Sequence, residues 1–307
     1  MRIGVDLGGT KIEIIVLGNE GAISLRRRVP TPQSDYDETV RTITGLVLDA
    51  ELKLGQRGSV GVAIPGTISP KTGLVKNANS THLIGHPLDK DLSVALARQV
   101  RTANDANCFA LSEASDGAGA GHDVVFGIIA GTGIGGGICV RGKVLTGAHA
   151  IAGEWGHNPL PAPRPDEMTG PPCYCGRAGC IESWCSGPAV SAQYERVTGR
   201  KMMATDIAGA AAGGDANAAA VMEDFFDRFA RAVAAIVNVL DPEAIVIGGG
   251  LSNIDALYTE LPPRIEPYAF HPEGGTRILK NMHGDASGVR GAAWLWAPDE
   301  VAAGLPR

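Results

Sequence analysis

Twice in this chain an apolar run of β-forming residues stops at a cluster of glycines and threonine, then resumes as a second apolar run. The first case is RIGVDL, GGT, KIEIIVL over residues 2–17, and the second is VVFGIIA, GTGIGGG, ICV over residues 124–140. Strand, tight turn and returning strand predict a β-hairpin with a glycine tip. The same device opening two separate regions predicts two lobes, although the two stretches are too different in sequence to establish a duplication. Glycines at such a tip remove the side chains that block approach, so backbone N–H groups are able to wrap a phosphate. Thr10 and Thr132 each add a hydroxyl. Neither turn matches the G-x-x-x-x-G-K-[ST] phosphate loop, and neither leads at once into a helix as the dinucleotide fingerprint requires. A third run, Gly248-Gly249-Gly250, follows an apolar strand over 244–247 and suits a nucleotide base or ribose lying over a strand end.

Between these landmarks the chain reads as α/β. Strands are expected at 23–29, 59–64 and 100–103, and helices at 36–54, 91–99 and 107–115. In the first of these helices Val40, Ile43, Val47, Leu48, Leu52 and Leu54 form the apolar series. A proline-rich stretch over 159–172 reads as irregular, and a long amphipathic helix over 216–240 carries Val221, Phe225, Phe229, Val233, Ile236 and Val237 on one side. A helix follows Gly250, and 289–296 is apolar and helical. A length of 307 residues suits two lobes.

The formal net charge of −6 argues against a broad nucleic-acid surface, since the one basic run is Arg26-Arg27-Arg28. No run is long and apolar enough for a signal-peptide core or a membrane span, so a cytoplasmic protein is expected. In a reducing compartment the six cysteines point away from disulfides.

Two clusters carry chemistry. Asn104-Asp105-Ala106-Asn107 lies between a strand and a helix, and two roles suit Asp105: a helix N-cap, or a general base for a hydroxyl nucleophile, which is nearly all that phosphoryl transfer asks of a protein besides positioning and Mg²⁺. His157 together with Cys173, Cys175 and Cys180 matches the donor set of a structural zinc site. The C-x-C-G-x-x-G-C spacing lets the chain bend back so that three thiolates converge. Cys108, Cys139 and Cys185 lie among apolar residues and read as core fillers.

DLGGTK at 6–11, NDAN at 104–107, IIAGTGIGGGI at 128–138, GEWGH at 153–157, CYCGRAGCIES at 173–183 and IVIGGG at 245–250 together resemble the ROK family of sugar kinases and repressors. The resemblance covers nearly the whole chain. It implies a two-lobed α/β fold like actin and hexokinase (ribonuclease H-like), with a cleft between the lobes. The expected lobes are 1–118, with a C-terminal helix at 287–298 returning to it, and 119–286, which holds the zinc loop. It implies ATP held by Asp6, Gly8, Gly9, Thr10 and Lys11 and by Gly131, Thr132, Gly133, Gly135 and Gly136, with the adenosine end near Gly248, Gly249 and Gly250. Asp6 would hold Mg²⁺ through water; Lys11 suits either the phosphates or solvent. Asp105 takes the role of base and Asn104 contacts the sugar. Glu154, His157 and Glu182 match residues that hold sugar hydroxyls, so His157 serves both zinc and sugar. The family's usual homodimer is expected as well.

Within the family VKNANST at 75–81, PLDKDLS at 87–93, GEWGHNPLP at 153–161 and HGDASGVRGAAWLW at 283–296 are most similar to bacterial fructokinases. The expectation is therefore transfer from ATP to the C6 hydroxyl of fructose, with mannose or glucose as further substrates and Gly66, Asn79 and Asn158 among the residues that choose the sugar. NDANCFALSEA at 104–114 is shared with enzymes acting on N-acetylglucosamine, which makes an N-acetylglucosamine or N-acetylmannosamine kinase the alternative. A sugar-responsive repressor is a distant reading, because the first strand begins at Arg2 and leaves no room for a DNA-binding helix-turn-helix.

Overall fold

A computed structural model describes residues 1–18, 21–271 and 275–302. The chain forms two compact units: Met1–Gly121 with Gly137–Ala152 and the segment from Asp285 onward, and His122–Gly136 with Gly153–Gly284. Residues 137–152 thus go with the first unit, whereas the sequence-based boundary at 118 places them in the second.

In the first unit β1 (Arg2–Leu7), β2 (Lys11–Leu17), β3 (Ile23–Pro30), β4 (Ser59–Ile64) and β7 (Val100–Asn104) form a sheet in the order β3-β2-β1-β4-β7; β5 (Thr67–Ile68) and β6 (Val75–Lys76) make a separate ribbon. β1 and β2 pair antiparallel from Arg2↔Leu17 to Leu7↔Ile12, while β1, β4 and β7 run parallel. The carboxyl ends of the parallel strands therefore share one edge, and the first glycine turn and the NDAN motif both leave from it.

α1 (Tyr36–Leu54) starts where the Asp35 side chain accepts the Glu38 N–H and stops at Gly55, whose left-handed φ of 61° caps the last turn. Its buried stripe is Ile43, Leu46, Val47 and Ala50, whereas Leu48 and Leu52 of the expected apolar series face solvent. α2 (Leu88–Ala95) begins three residues before the expected start, since Pro87 precedes it and Asp89 and Asp91 fall in its first turn, where they suit the helix dipole. α3 (Asp105–Asp116) packs against α9 (Ser287–Trp294), which also lies on β1 and β4. That packing needs glycine at Gly61, because a Cβ there would collide with the Ala292 carbonyl. Trp296, buried, donates its indole N–H to the Val60 carbonyl at 2.8 Å. Glu300 of α10 (Pro298–Ala302) pairs with Arg101, which holds its carboxyl down at about 2.

The second sheet runs β10-β9-β8-β11-β12, with β8 (Val124–Ala130), β9 (Ile134–Val140), β10 (Lys143–Val144), β11 (Ala244–Gly248) and β12 (Ile278–Lys280). β8, β11 and β12 are parallel. In the second unit α7 (Ala216–Leu240) buries Val221, Phe225, Phe229, Val233 and Val237. It is packed by α4 (Ile181–Cys185), α5 (Gly187–Thr198), α6 (Ala204–Ala212) and α8 (Leu257–Ile265). The proline-rich stretch is fixed to this helix: buried Glu167 accepts from Arg228 Nε at 2.7 Å and from Arg231 Nη2 at 2.9 Å. Burial pushes the Glu167 carboxyl up, but the Arg164 N–H and both guanidiniums outweigh it and hold it below its ordinary pKa. Among the described residues no helix is long and apolar enough to cross a membrane.

Candidate active site and metal centre

At the shared strand edge of the first unit, the turn after β1 is closed by a Gly8 N–H donated to the Lys11 carbonyl at 3.0 Å. Thr31 backs it, donating its hydroxyl to the Gly8 carbonyl at 2.7 Å and its N–H to the Thr10 carbonyl at 3.0 Å. Gly9, Thr10 and Lys11 are exposed at the tip. Gly66, at a φ of 135°, follows β4 and lies against Ala78, and the next segment, which carries Asn79, brings the Ser80 hydroxyl beside Gly9. The register Ile64↔Asn104 then sets NDAN at the end of β7.

The cap of α3 is Asn104, which accepts the Asn107 N–H at 2.8 Å; Asp105 is the first helical residue and accepts only the adjacent Ala106 N–H through its side chain, at 2.8 Å. Asp105 is thus free of the capping role. It is exposed to solvent, yet the protein around it desolvates its carboxyl and raises the pKa. Asp6, at the end of β1, is raised to about 6, first by desolvation and then by the charges of Asp105 and Glu13, with Lys11 and Arg28 opposing. A carboxylate such as Asp6, whose ionisation is opposed by burial and by neighbouring acids, is a donor suited to a divalent cation.

The shift at Asp6 has a consequence for stability. Below about pH 4 the residue is protonated folded and unfolded; between pH 4 and 6 the unfolded chain loses its proton first, so the folded protein loses stability as pH rises, and above 6 the loss is constant at about 3 kcal/mol. Asp6→Asn should therefore be more stable than the parent in metal-free buffer, by a margin that widens from pH 4 to 6 and then stays level. Denaturant midpoints of both proteins across pH check this; a margin independent of pH contradicts it.

In the second unit several segments converge on the second glycine turn. Gly131 accepts the Gly187 N–H at 2.8 Å, at the start of α5, and a side chain at Gly131 would meet the Gly250 nitrogen. The strand-end register Gly248↔Ile129 brings the third glycine run to the same place. Glu182 accepts the Ile134 N–H at 2.9 Å, and a Cβ at Gly133 would lie 2.6 Å from its carboxylate. Buried Trp155 donates to the Gly135 carbonyl at 3.1 Å and meets Phe126 and Phe229 edge-on. The turn Trp155–His157, with Glu154 before it, is thereby anchored to the glycine turn.

His157 faces the cysteines. Its Nδ1 lies 3.6 Å from Cys173 Sγ, Cys175 and Cys180 Sγ atoms are 3.6 Å apart, and all four donors are within 4.8 Å of one another. A tetrahedron with Zn–S bonds of about 2.3 Å has edges of about 3.7 Å, so the donor set fits zinc. Cys175 is pulled down to about 6, chiefly by the Arg177 N–H and then its side chain, which favours the thiolate a metal needs; burial pushes Cys180 up to about 12. Cys108, Cys139 and Cys185 are buried and unpaired, as expected of core residues.

One residue at this centre went unread in the sequence. Tyr174 sits between two of the cysteines with its hydroxyl 3.0 Å from His157 Nε2, and burial followed by the charges of Glu182 and Glu154 raises its pKa to about 12. A lone tyrosine within a cysteine loop gives no local signal of that contact.

Comparison with known proteins bears on the sugar. N-acetyl-D-glucosamine kinase of Yersinia pseudotuberculosis is 41% identical over 299 residues, covering 96% of this chain and 98% of the relative. The N-acetyl-D-glucosamine kinase of Pectobacterium atrosepticum is 41% identical over 307 residues, covering 97% and 100%. These relatives overturn the expected fructose specificity, which rested on short separate stretches, and favour the alternative. Among solved structures, the ROK hexokinase of Thermus thermophilus matches with a TM-score of 0.85 at 28% identity, covering 99% of each chain. A ROK family glucokinase of Streptomyces griseus in complex with glucose and AMPPNP matches with a TM-score of 0.73 at 28% identity, covering 95% and 97%. The fold is thus the two-lobed, mixed α/β fold of actin and hexokinase. The ROK family model matches residues 2–299, and the chain belongs to the ROK family.

Proposed function

We propose that this protein transfers the γ-phosphoryl group of ATP to the C6 hydroxyl of N-acetyl-D-glucosamine. The observation that carries the reading is end-to-end identity of 41% to N-acetyl-D-glucosamine kinases, and the local geometry of each unit agrees with it. Asp105 accepts the proton of the sugar hydroxyl as its oxygen forms the new bond to phosphorus. The bond from phosphorus to the bridging oxygen breaks, and ADP leaves with the electron pair. Desolvation raises the Asp105 carboxyl above its ordinary pKa, which makes its carboxylate the stronger base for this task. Asn104 orients the same hydroxyl. The glycine turns 8–11 and 131–137 hold the phosphates, with the adenosine end at Gly248 to Gly250. Asp6 would hold Mg²⁺ through water, and the ion would supply charge against the phosphate oxygens. Glu154, His157 and Glu182 hold the other sugar hydroxyls, and Gly66 and Asn79 shape the pocket on the first unit. ADP release measured over N-acetylglucosamine, N-acetylmannosamine, glucose, mannose and fructose tests this. The highest kcat/KM is expected for N-acetylglucosamine, and no turnover with that sugar would refute the reading.

Zinc at His157, Cys173, Cys175 and Cys180 is part of the same proposal, as a structural ion that fixes the imidazole. Metal analysis should give about one zinc per chain, and Cys175→Ser should lose it and melt at a lower temperature. A native protein without zinc and with full stability would contradict this.

A further inference from the structure

Tyr174 has an unusual position for a side chain that is 81% exposed. The turn that carries it is tight: Cys173 N–H donates to the Arg177 carbonyl at 2.7 Å, and Gly176 N–H to the Cys173 carbonyl at 3.0 Å. The turn throws the side chain outward, yet the ring comes back over His157, edge-on with centroids 5.1 Å apart, and its oxygen lies 3.0 Å from Nε2. The other imidazole nitrogen, Nδ1, faces Cys173 Sγ. A neutral imidazole that gives Nδ1 to a metal keeps its proton on Nε2, so Nε2–H donates to the tyrosine oxygen. That N–H is the one the proposed function assigns to a sugar hydroxyl, and it has a single proton to donate.

We propose that Tyr174 is a gate on sugar binding, whose phenol oxygen competes with a sugar hydroxyl for His157 Nε2–H and must swing away when the sugar binds. The inference rests on the sugar-binding role of His157 in the proposed function. An exposed side chain on a turn is able to move without disturbing the core, and holding Nε2–H in hydrogen bonding keeps the imidazole oriented while no sugar is present. The cost is weaker apparent affinity, because only the fraction of molecules with the phenol displaced is competent to bind.

The test is titration calorimetry of N-acetyl-D-glucosamine into the zinc-loaded parent and Tyr174→Phe, with kcat and both KM values measured alongside. Tyr174→Phe should bind the sugar about two- to fivefold tighter, with KM for the sugar lower to match and with kcat, KM for ATP and zinc content unchanged. Tyr174→Ala should show the same direction. Equal or weaker binding in Tyr174→Phe would overturn the gate, weaker binding making the phenol a sugar contact. A parent that binds the sugar without turning it over would sink the kinase reading and leave the gate decided by the two dissociation constants. A parent that binds no sugar would overturn both.

Discussion

Asp105→Asn should lower kcat by about 10²–10⁴-fold, the usual worth of a general base, in a protein that folds as well as the parent. The two halves of this expectation have separate causes. Asparagine is nearly the same shape, and its carbonyl oxygen keeps the bond from the Ala106 N–H that Asp105 accepts at 2.8 Å. The helix start is not at stake, because α3 is capped by Asn104. The carboxylate is also disfavoured where it stands, so losing its charge does not destabilise the fold. The same charge helps raise Asp6, and in the variant the Asp6 pKa should fall from about 6 towards its ordinary value. What asparagine cannot do is accept a proton. Steady-state kinetics with a denaturation curve check both halves, and near-normal turnover in a folded variant would remove Asp105 as the base.

Glu167→Ala should destabilise the second unit by about 3–5 kcal/mol, the range for removing one partner of a buried ion pair. Glu167 is 3% exposed and answers two guanidiniums that are themselves buried, Arg228 and Arg231. Arg231 keeps Asp227 and the carbonyls of Pro161 and Ala162, and Arg228 keeps Gln193. The two guanidiniums would then have only the partly exposed Asp227 and, at 3.8 Å from Arg228, Asp224 for negative charge. The loop that Glu167 anchors runs from His157 towards Cys173, so its release should also loosen the zinc centre. Urea denaturation and metal content measure the two effects, and a loss below about 1 kcal/mol would show that the arginines find other partners.

The hairpins were legible because strand periodicity and glycine tips are local signals, the strand 59–64 because it is an apolar run stopped by Pro65-Gly66, and 100–103 because a short segment between two helices leaves little else. The cysteine loop was legible for the same reason, since a metal site states its donors in its spacing. The cap of α3 was not legible: the sequence offered Asp105 for that role, whereas Asp105 is the first helical residue and Asn104 caps it. The Glu167 cluster joins residues about sixty positions apart on a loop and a helix, and charges on a buried helix face look like ordinary surface charges until packing is known. Leu48 and Leu52 show the reverse case, apolar residues at helical spacing that nothing covers. Sugar choice failed to show in those short stretches because it depends on how several segments shape space around C1 and C2. Identity over the entire chain carries more of that shape than PLDKDLS or GEWGHNPLP does.

The central claim is phosphate transfer from ATP to one particular oxygen of N-acetyl-D-glucosamine, and the phosphorylated product reports it directly. After incubation with ATP, Mg²⁺ and N-acetyl-D-glucosamine, phosphorus–proton correlation NMR should show a single sugar phosphate coupled to the two C6 protons, formed one for one with ADP. Phosphate on any other carbon, or ADP appearing without a sugar phosphate, would contradict the account.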